Sequence, residues 1–216
     1  MLNTAQAQTG WSIVDKRLLP GDLVSVKTDG SWMSGATRWF EQRRGEDPSW
    51  ASHSGIIDTV ASGHETLVEA LWKVTQRPLS AYAGHSRVVV MRHPVLEMSA
   101  RFNIRDAAIR HLGQSYGWWK LFLHAAGLKS AIHSENRPIC SQLAALAYQS
   151  AGVRFGLDAD EAQPDDLLDF AAMNNWPVIW CDSVETLAEL EEIYHAEDGV
   201  YANDLLKRYG YPPPDQ

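Results

Sequence analysis

The chain has few cysteines and no long apolar run. Two cysteines, Cys140 and Cys181, occur among 216 residues. Two thiols are too few for a disulfide scaffold or for a zinc site built from thiolates. No apolar stretch approaches the roughly 18 residues that a membrane-spanning helix needs. We therefore expect neither a disulfide framework nor stable insertion into a membrane.

Basic residues are fewer than acidic ones, and the first residues do not have the pattern of a secretory leader. The 19 Lys and Arg residues are outnumbered by 27 Asp and Glu residues, which gives a formal net charge of −8. Such a surface disfavours binding to nucleic acid, so we expect no nucleic-acid partner. The first residues show no charged segment followed by an apolar run, so we expect synthesis in the cytoplasm without a Sec signal.

Sequence motifs of several common enzyme classes are missing. The chain contains no glycine-rich phosphate-binding loop, no dinucleotide fingerprint, no GxSxG elbow and no HExxH or CxxC pair. Their absence argues against nucleotide-dependent, serine-elbow and common zinc chemistry. We accordingly expect no metal and no cofactor.

The residues that are present indicate a single globular domain of the α+β class. Apolar residues make up 45% and charged residues 21% of the chain, which is ordinary for a folded protein. We predict one domain over residues 1–216, with a core at about 19–182 and an acidic, mostly helical extension at 183–216.

Alternation of apolar and polar residues predicts strands at 22–27, 51–60, 66–72, 86–92 and 176–181, the second to fourth forming a meander. Apolar spacing predicts helices at 34–43, 99–112, 118–128, 140–150, 164–173 and 184–209. The expected architecture is an antiparallel sheet packed against helices.

Cys140 is the candidate nucleophile. A cysteine in an apolar helix is often only a small buried side chain. Here, however, Pro138 favours a helix start that places Cys140 in the first turn, where the helix dipole and free backbone N–H groups stabilise a thiolate. The same N–H groups, including that of Ser141, can bind an oxyanion. Cys181, in an apolar strand, is predicted to be structural.

His53 and Glu69 are the candidate base and its orienting acceptor. His53 stands on a predicted strand beside small residues that leave room for another element, although it could also be a half-exposed strand histidine. Glu69 interrupts an apolar strand, and buried carboxylates are rare unless paired; alternatively, it points to solvent. Gly63 favours a three-residue loop at 61–63, which would place Gly55 opposite Glu69 and thus His53 and Glu69 on one face of the hairpin. A four-residue loop would put Glu69 on the opposite face.

Four segments together resemble a known enzyme family: PGDLV at 20–24, SHSGIID at 52–58, LVEA at 67–70 and ICSQLAALAYQSAG at 139–152. In this order they are similar to the circularly permuted branch of the NlpC-type papain-like cysteine hydrolases, which includes YiiX/YebB-like and lecithin:retinol acyltransferase-like proteins. His53 precedes Cys140, which is the permuted order. The resemblance implies a papain-like fold with Cys140 as nucleophile, His53 as base and Glu69 as the third residue. The segment at 113–117 resembles the family's Gly-x-x-Tyr and implies a site-lining or oxyanion role for Tyr116, with a core or rim tyrosine as the alternative.

Three functions remain open at this point. The first is a cysteine amide hydrolase that cuts peptidoglycan stem peptides, acting in the periplasm or on the cell wall after export by a route other than Sec, as an antibacterial effector or phage lytic enzyme would. A cognate immunity or inhibitor protein would be its partner. The second is a lipid or thioester acyl hydrolase or acyltransferase, since the same permuted fold handles acyl lipids. The third is a non-catalytic binding module.

Overall fold

The computed structural model describes residues 17–28, 50–60, 64–115 and 139–194. The helices predicted at 34–43 and 118–128, the hairpin loop at 61–63 and all residues after 194 lie outside these residues. The described part is α+β and contains six strands, four α-helices and one short 3₁₀ helix. None of these helices is long and apolar enough to cross a membrane.

The strands and helices follow one another in a β-rich first part and a helix-rich second part. The strands are β1 (Leu23–Thr28), β2 (His53–Thr59), β3 (Thr66–Ala70), β4 (Val74–Pro78), β5 (Ser86–Met91) and β6 (Val178–Cys181). The 3₁₀ helix Leu79–Tyr82 joins β4 to β5. The α-helices are α1 (Met98–Ile109), α2 (Cys140–Gln149), α3 (Pro164–Met173) and α4 (Val184–Tyr194).

All six strands pair antiparallel in the order β4-β3-β2-β1-β5-β6. The predicted meander is therefore wrong at its third strand: β5 does not extend the β2–β3 hairpin but pairs with β1. The strand that continues the hairpin is β4, which the sequence analysis missed. Its sequence VTQRP is largely polar because β4 is an edge strand, and it ends in Pro78, a residue that edge positions tolerate.

The two faces of the sheet carry separate apolar clusters. Leu23, Ile56 and Val68 lie side by side across three strands and pack against the helices. Val24, Ile57 and others on the opposite face form a second cluster with Leu79 and Tyr82. Both clusters follow from the alternation of side chains along each strand.

Helix α3 shows why the helix boundaries could be predicted from the sequence. Pro164 occupies its first turn, where a missing N–H costs no hydrogen bond. The side chain of Asp166 accepts a hydrogen bond from the backbone N–H of Gln163 at 2.8 Å, closing a capping box. Asp165 places a second negative charge at the positive end of the helix dipole and accepts the backbone N–H groups of Trp50 and Ala51, both at 3.0 Å.

Candidate active site

Cys140 is the first residue of α2, as predicted from the sequence. Its side chain is nearly buried, with 5% of its surface exposed. The His53 ring and the backbone N–H groups of Ser54 and Ser141 are the polar groups that act on the sulfur. Burial alone would raise the pKa of the Cys140 thiol, but the charge of His53 and these polar groups outweigh it and hold the pKa below its ordinary value.

His53 is the first residue of β2 and lies between a thiol and a carboxylate. Its Nε2 atom is 2.7 Å from Oε2 of Glu69. The other ring nitrogen, Nδ1, is buried and makes no hydrogen bond among the described residues. Because Nε2 is engaged by Glu69, Nδ1 is the ring nitrogen available to Cys140. Burial lowers the pKa of His53, but the Cys140 thiolate and then the Glu69 carboxylate outweigh burial and raise it to about 10.

Glu69, on β3, is fully buried and held by three donors. Besides His53, the hydroxyl of Tyr82 donates to Oε2 and Nη1 of Arg77 lies 3.4 Å from Oε1. Burial would raise the pKa of the carboxyl group, but the hydrogen bond and charge of His53, followed by the contributions of Tyr82 and Arg77, lower it. The group is therefore a carboxylate despite its burial.

The strand register brings His53 and Glu69 to one face of the sheet. Gly55 lies opposite Glu69, as the hairpin prediction required. The pairing shifts by one residue between Ile57 and Thr59, where a bulge places Thr59 opposite Thr66 instead of Glu65, which an unshifted register would require. The irregularity lies at the other end of the hairpin from His53 and Glu69 and leaves that pair intact.

Gly55 is closely packed against β3. A Cβ atom added to it would lie 2.8 Å from Cδ1 of Leu67 and 3.1 Å from the carbonyl oxygen of Val68. A side chain at residue 55 would therefore displace the Leu67 side chain and press on β3 beside Glu69.

The other residues singled out from the sequence are Ser141, Tyr116 and Cys181. The backbone N–H of Ser141 helps to lower the pKa of Cys140, whereas the Ser141 hydroxyl donates to the carbonyl of Ala162 at 2.6 Å. Tyr116 lies outside the described residues. Cys181 ends β6, its sulfur contacts the carbonyl oxygen of Ser183 at 3.2 Å, and burial raises its pKa to about 11.

Tyr82 and Arg77 were missed in the sequence analysis. A buried carboxylate needs donors, so Glu69 itself signals that partners exist. Their identity was hidden because both residues belong to the unrecognised strand β4 and the 3₁₀ helix after it.

The geometry suits nucleophilic attack on a carbonyl carbon. A lowered thiol pKa beside a raised imidazole pKa favours the thiolate–imidazolium pair, and a buried carboxylate fixes the ring. Within the described ranges, no group of three or more His, Cys, Asp or Glu side chains is placed to hold a metal ion.

No protein-family model and no curated protein sequence matches the chain. Among solved structures, it is similar to the metalloprotein YiiX from Escherichia coli O157:H7. The two share 24% sequence identity over 65% of this chain and 71% of that chain, with a TM-score of 0.48.

Proposed function

We propose that this protein is a cysteine hydrolase of the circularly permuted papain-like type, acting on an amide through a covalent acyl-enzyme. The observation that carries the proposal is the position of Cys140 at the start of α2 beside His53, whose Nε2 is bound by the buried Glu69. Nucleophile, base and orienting acceptor are thus in contact in the order that acyl transfer requires.

The first half of the reaction forms a thioester. The Cys140 thiolate attacks the amide carbon, and the carbonyl oxygen takes up the negative charge. The backbone N–H of Ser141, at the positive end of α2, is a donor for that oxyanion. Collapse of the intermediate breaks the C–N bond, and His53 transfers its ring proton to the leaving amine.

The second half releases the acyl group. Neutral His53 takes a proton from water as the water oxygen attacks the thioester carbon. The C–S bond breaks, a carboxylic acid leaves, and the thiolate–imidazolium pair is restored. Glu69 holds the ring through Nε2 in both halves and stabilises its positive charge whenever the ring is protonated.

We propose peptidoglycan stem peptides as the substrate. The support is the resemblance of the four segments around His53, Glu69 and Cys140 to the permuted NlpC-type hydrolases. A wall-cutting enzyme must reach the wall, so we place its action in the periplasm or at the cell wall, with a cognate inhibitor protein as its partner in the producing cell.

The test is a parallel digestion of purified peptidoglycan and of phospholipid vesicles, with the products identified by mass spectrometry. Wild-type protein should release peptide fragments with a new amine and a new carboxylate. Cys140→Ala should reduce turnover at least about 10³-fold, since the nucleophile is removed while little packing is lost.

The matched control is Cys181→Ala, which removes the other thiol. We expect it to keep wild-type turnover. Cleavage of acyl esters in the vesicles instead of peptidoglycan would replace the proposed substrate with an acyl lipid. Undiminished turnover in Cys140→Ala would overturn the nucleophile assignment.

A further inference from the structure

Glu69 receives more hydrogen-bond donors than an orienting residue needs. Oε2 accepts from both His53 and the hydroxyl of Tyr82, and Oε1 faces Arg77. Tyr82 is 7% exposed. It reaches Glu69 from the 3₁₀ helix after β4, where its ring also packs under the Arg77 guanidinium.

We propose that Tyr82, assisted by Arg77, is a positioning residue for the active site: it holds Glu69 as an oriented carboxylate and thereby sustains the charged Cys140–His53 pair. This inference rests on the proposed function, because it assigns a role in that same site. It extends the site from three residues to five and across two further elements, β4 and the 3₁₀ helix.

The first step of the reasoning concerns the charge of Glu69. Burial penalises an ionised carboxylate unless donors replace the lost water. If Glu69 took up a proton, it would no longer offset the positive charge of His53, and the imidazolium would lose its partner at Nε2. The Tyr82 hydroxyl provides a donor on the very oxygen that His53 contacts.

The second step concerns the constancy of that donor. Burial, followed by the neighbouring Glu69 charge, raises the pKa of Tyr82 above its ordinary value, so the phenol stays protonated at neutral pH and well above it. His53 changes charge during the proposed reaction, and Arg77 is more distant and partly exposed. Tyr82 is therefore the donor that remains in place in every step.

The third step links Glu69 to the thiol. The groups that face His53 and Glu69 are Cys140 from α2, Arg77 from β4 and Tyr82 from the 3₁₀ helix. A Glu69 side chain that is protonated or turned away from Nε2 no longer stabilises the imidazolium, and loss of the imidazolium charge destabilises the thiolate. The pH at which Cys140 becomes a thiolate should therefore rise when the Tyr82 hydroxyl is removed.

The experiment measures the rate of Cys140 alkylation by iodoacetamide from pH 4 to 10 in a Cys181→Ala background, which requires no substrate. In Tyr82→Phe, the ring and its packing are kept and only the hydroxyl is lost. We expect the acid limb of the profile to move up by about one pH unit, as loss of a charge-assisted hydrogen bond implies. Arg77→Gln should shift the acid limb in the same direction but by a smaller amount, because Arg77 is farther from Glu69 and more exposed than Tyr82.

The control is Tyr148→Phe. Tyr148 is a fully buried tyrosine whose hydroxyl donates to the carbonyl of Gly21 at 2.8 Å. This variant loses the same atom and one hydrogen bond, so its thermal stability should fall while its alkylation profile stays unchanged. Thermal melts of all variants show which of them fold.

The outcomes separate the two proposals. An acid limb for wild-type protein near the ordinary thiol pKa of about 8.5 would overturn the proposed function itself. A lowered wild-type limb that stays in place in both Tyr82→Phe and Arg77→Gln would overturn only the positioning role. If Tyr82→Phe does not fold, an unchanged acid limb in Arg77→Gln overturns the positioning role, and an upward shift of that limb supports it.

Discussion

Glu69 and His53 show how two buried ionisable side chains stabilise each other's charge. Each would be neutral if buried alone, since desolvation lowers the pKa of an imidazole and raises that of a carboxylic acid. Placed 2.7 Å apart, with the Cys140 thiol on the other side of the ring, both are charged. The charge state of the site is therefore a property of the contact and not of either residue.

Replacing Glu69 by glutamine tests whether the carboxylate charge raises the pKa of His53. Glu69→Gln keeps an oxygen that can accept from Nε2 but removes the negative charge. The pKa of His53, about 10 in the folded protein, should fall. Because the active form needs imidazolium, the alkaline limb of the hydrolysis profile should move to lower pH, and kcat should drop about 10²-fold.

The measurement is the pH dependence of kcat in Glu69→Gln. Glu97→Gln, at an exposed position before α1 where the side chain makes no capping bond, is the control and should reproduce the wild-type profile. An alkaline limb that stays in place in Glu69→Gln would show that the carboxylate does not act on His53.

The β2–β3 hairpin is the element that holds the site. It places His53 at the start of one strand and Glu69 near the end of the next, and Gly55 lets the two strands approach. A bulge beyond Ile57 absorbs the change of register toward the loop. The hairpin thus has a regular end that carries His53 and Glu69 and an irregular end toward residues 61–63.

Gly55→Ala should disturb both stability and activity. The added methyl group would meet Leu67 and the Val68 carbonyl below van der Waals distance, and relief of such overlap typically lowers the free energy of unfolding by about 1–3 kcal/mol. Because Glu69 lies directly opposite Gly55, kcat should fall as well. Urea unfolding and steady-state kinetics measure the two effects.

Gly84→Ala separates backbone strain from site distortion. Gly84 has a φ of 78° and open space where its Cβ would be. The substitution should cost about 1 kcal/mol from the left-handed conformation alone and leave kcat unchanged. Equal loss of kcat in the two variants would contradict the role assigned to Gly55.

At the scale of the whole molecule, Asp22 connects the sheet to α1. Its fully buried carboxylate accepts from Nε and Nη2 of Arg92 at 2.9 and 2.8 Å and from Nη1 of Arg101 at 3.0 Å. The backbone N–H of Leu19 donates to it at 2.8 Å. One carboxylate thereby joins the segment before β1, the end of β5 and the first turns of α1.

Asp22→Asn should destabilise the protein without altering the site. The substitution leaves two guanidinium groups, one of them buried, without their counter-charge, which typically costs about 3 kcal/mol. Burial raises the pKa of Asp22 even though both arginines lower it, so the fold does not strongly favour the ionised carboxylate. The loss of stability in Asp22→Asn should therefore come from the two arginines, which are left without a counter-charge. Urea denaturation should show the decrease, while the alkylation rate of Cys140 in the folded state should not change.

Asp106→Asn provides the comparison for an exposed ion pair. Asp106 contacts Arg105 at 2.6 Å, and about half of its side-chain surface is exposed. Such pairs contribute little, so the free energy of unfolding should change by less than about 1 kcal/mol. A loss for Asp22→Asn no larger than this would show that the buried network does not hold the layers together.

The sequence alone was sufficient for features that depend on near neighbours along the chain. The start of α2 at Cys140 and the limits of α3 follow from local helix signals. The contact of His53 with Glu69 also follows, because a short hairpin allows few registers and one of them puts both residues on the same face. Each of these features involves residues whose separation in sequence is small or whose environment is set by backbone geometry.

Tertiary structure decided the features that depend on distant partners. The pairing of β5 with β1 instead of the hairpin, and the existence of β4 as a polar edge strand, are chosen by which strand edges meet in the folded sheet. Tyr82 reaches Glu69 only because β4 pairs with β3 and turns into the 3₁₀ helix. Alternation tells which face a side chain occupies on its own strand, whereas the neighbour that it meets is set by the competition among all strands for hydrogen-bonded edges and buried apolar surface.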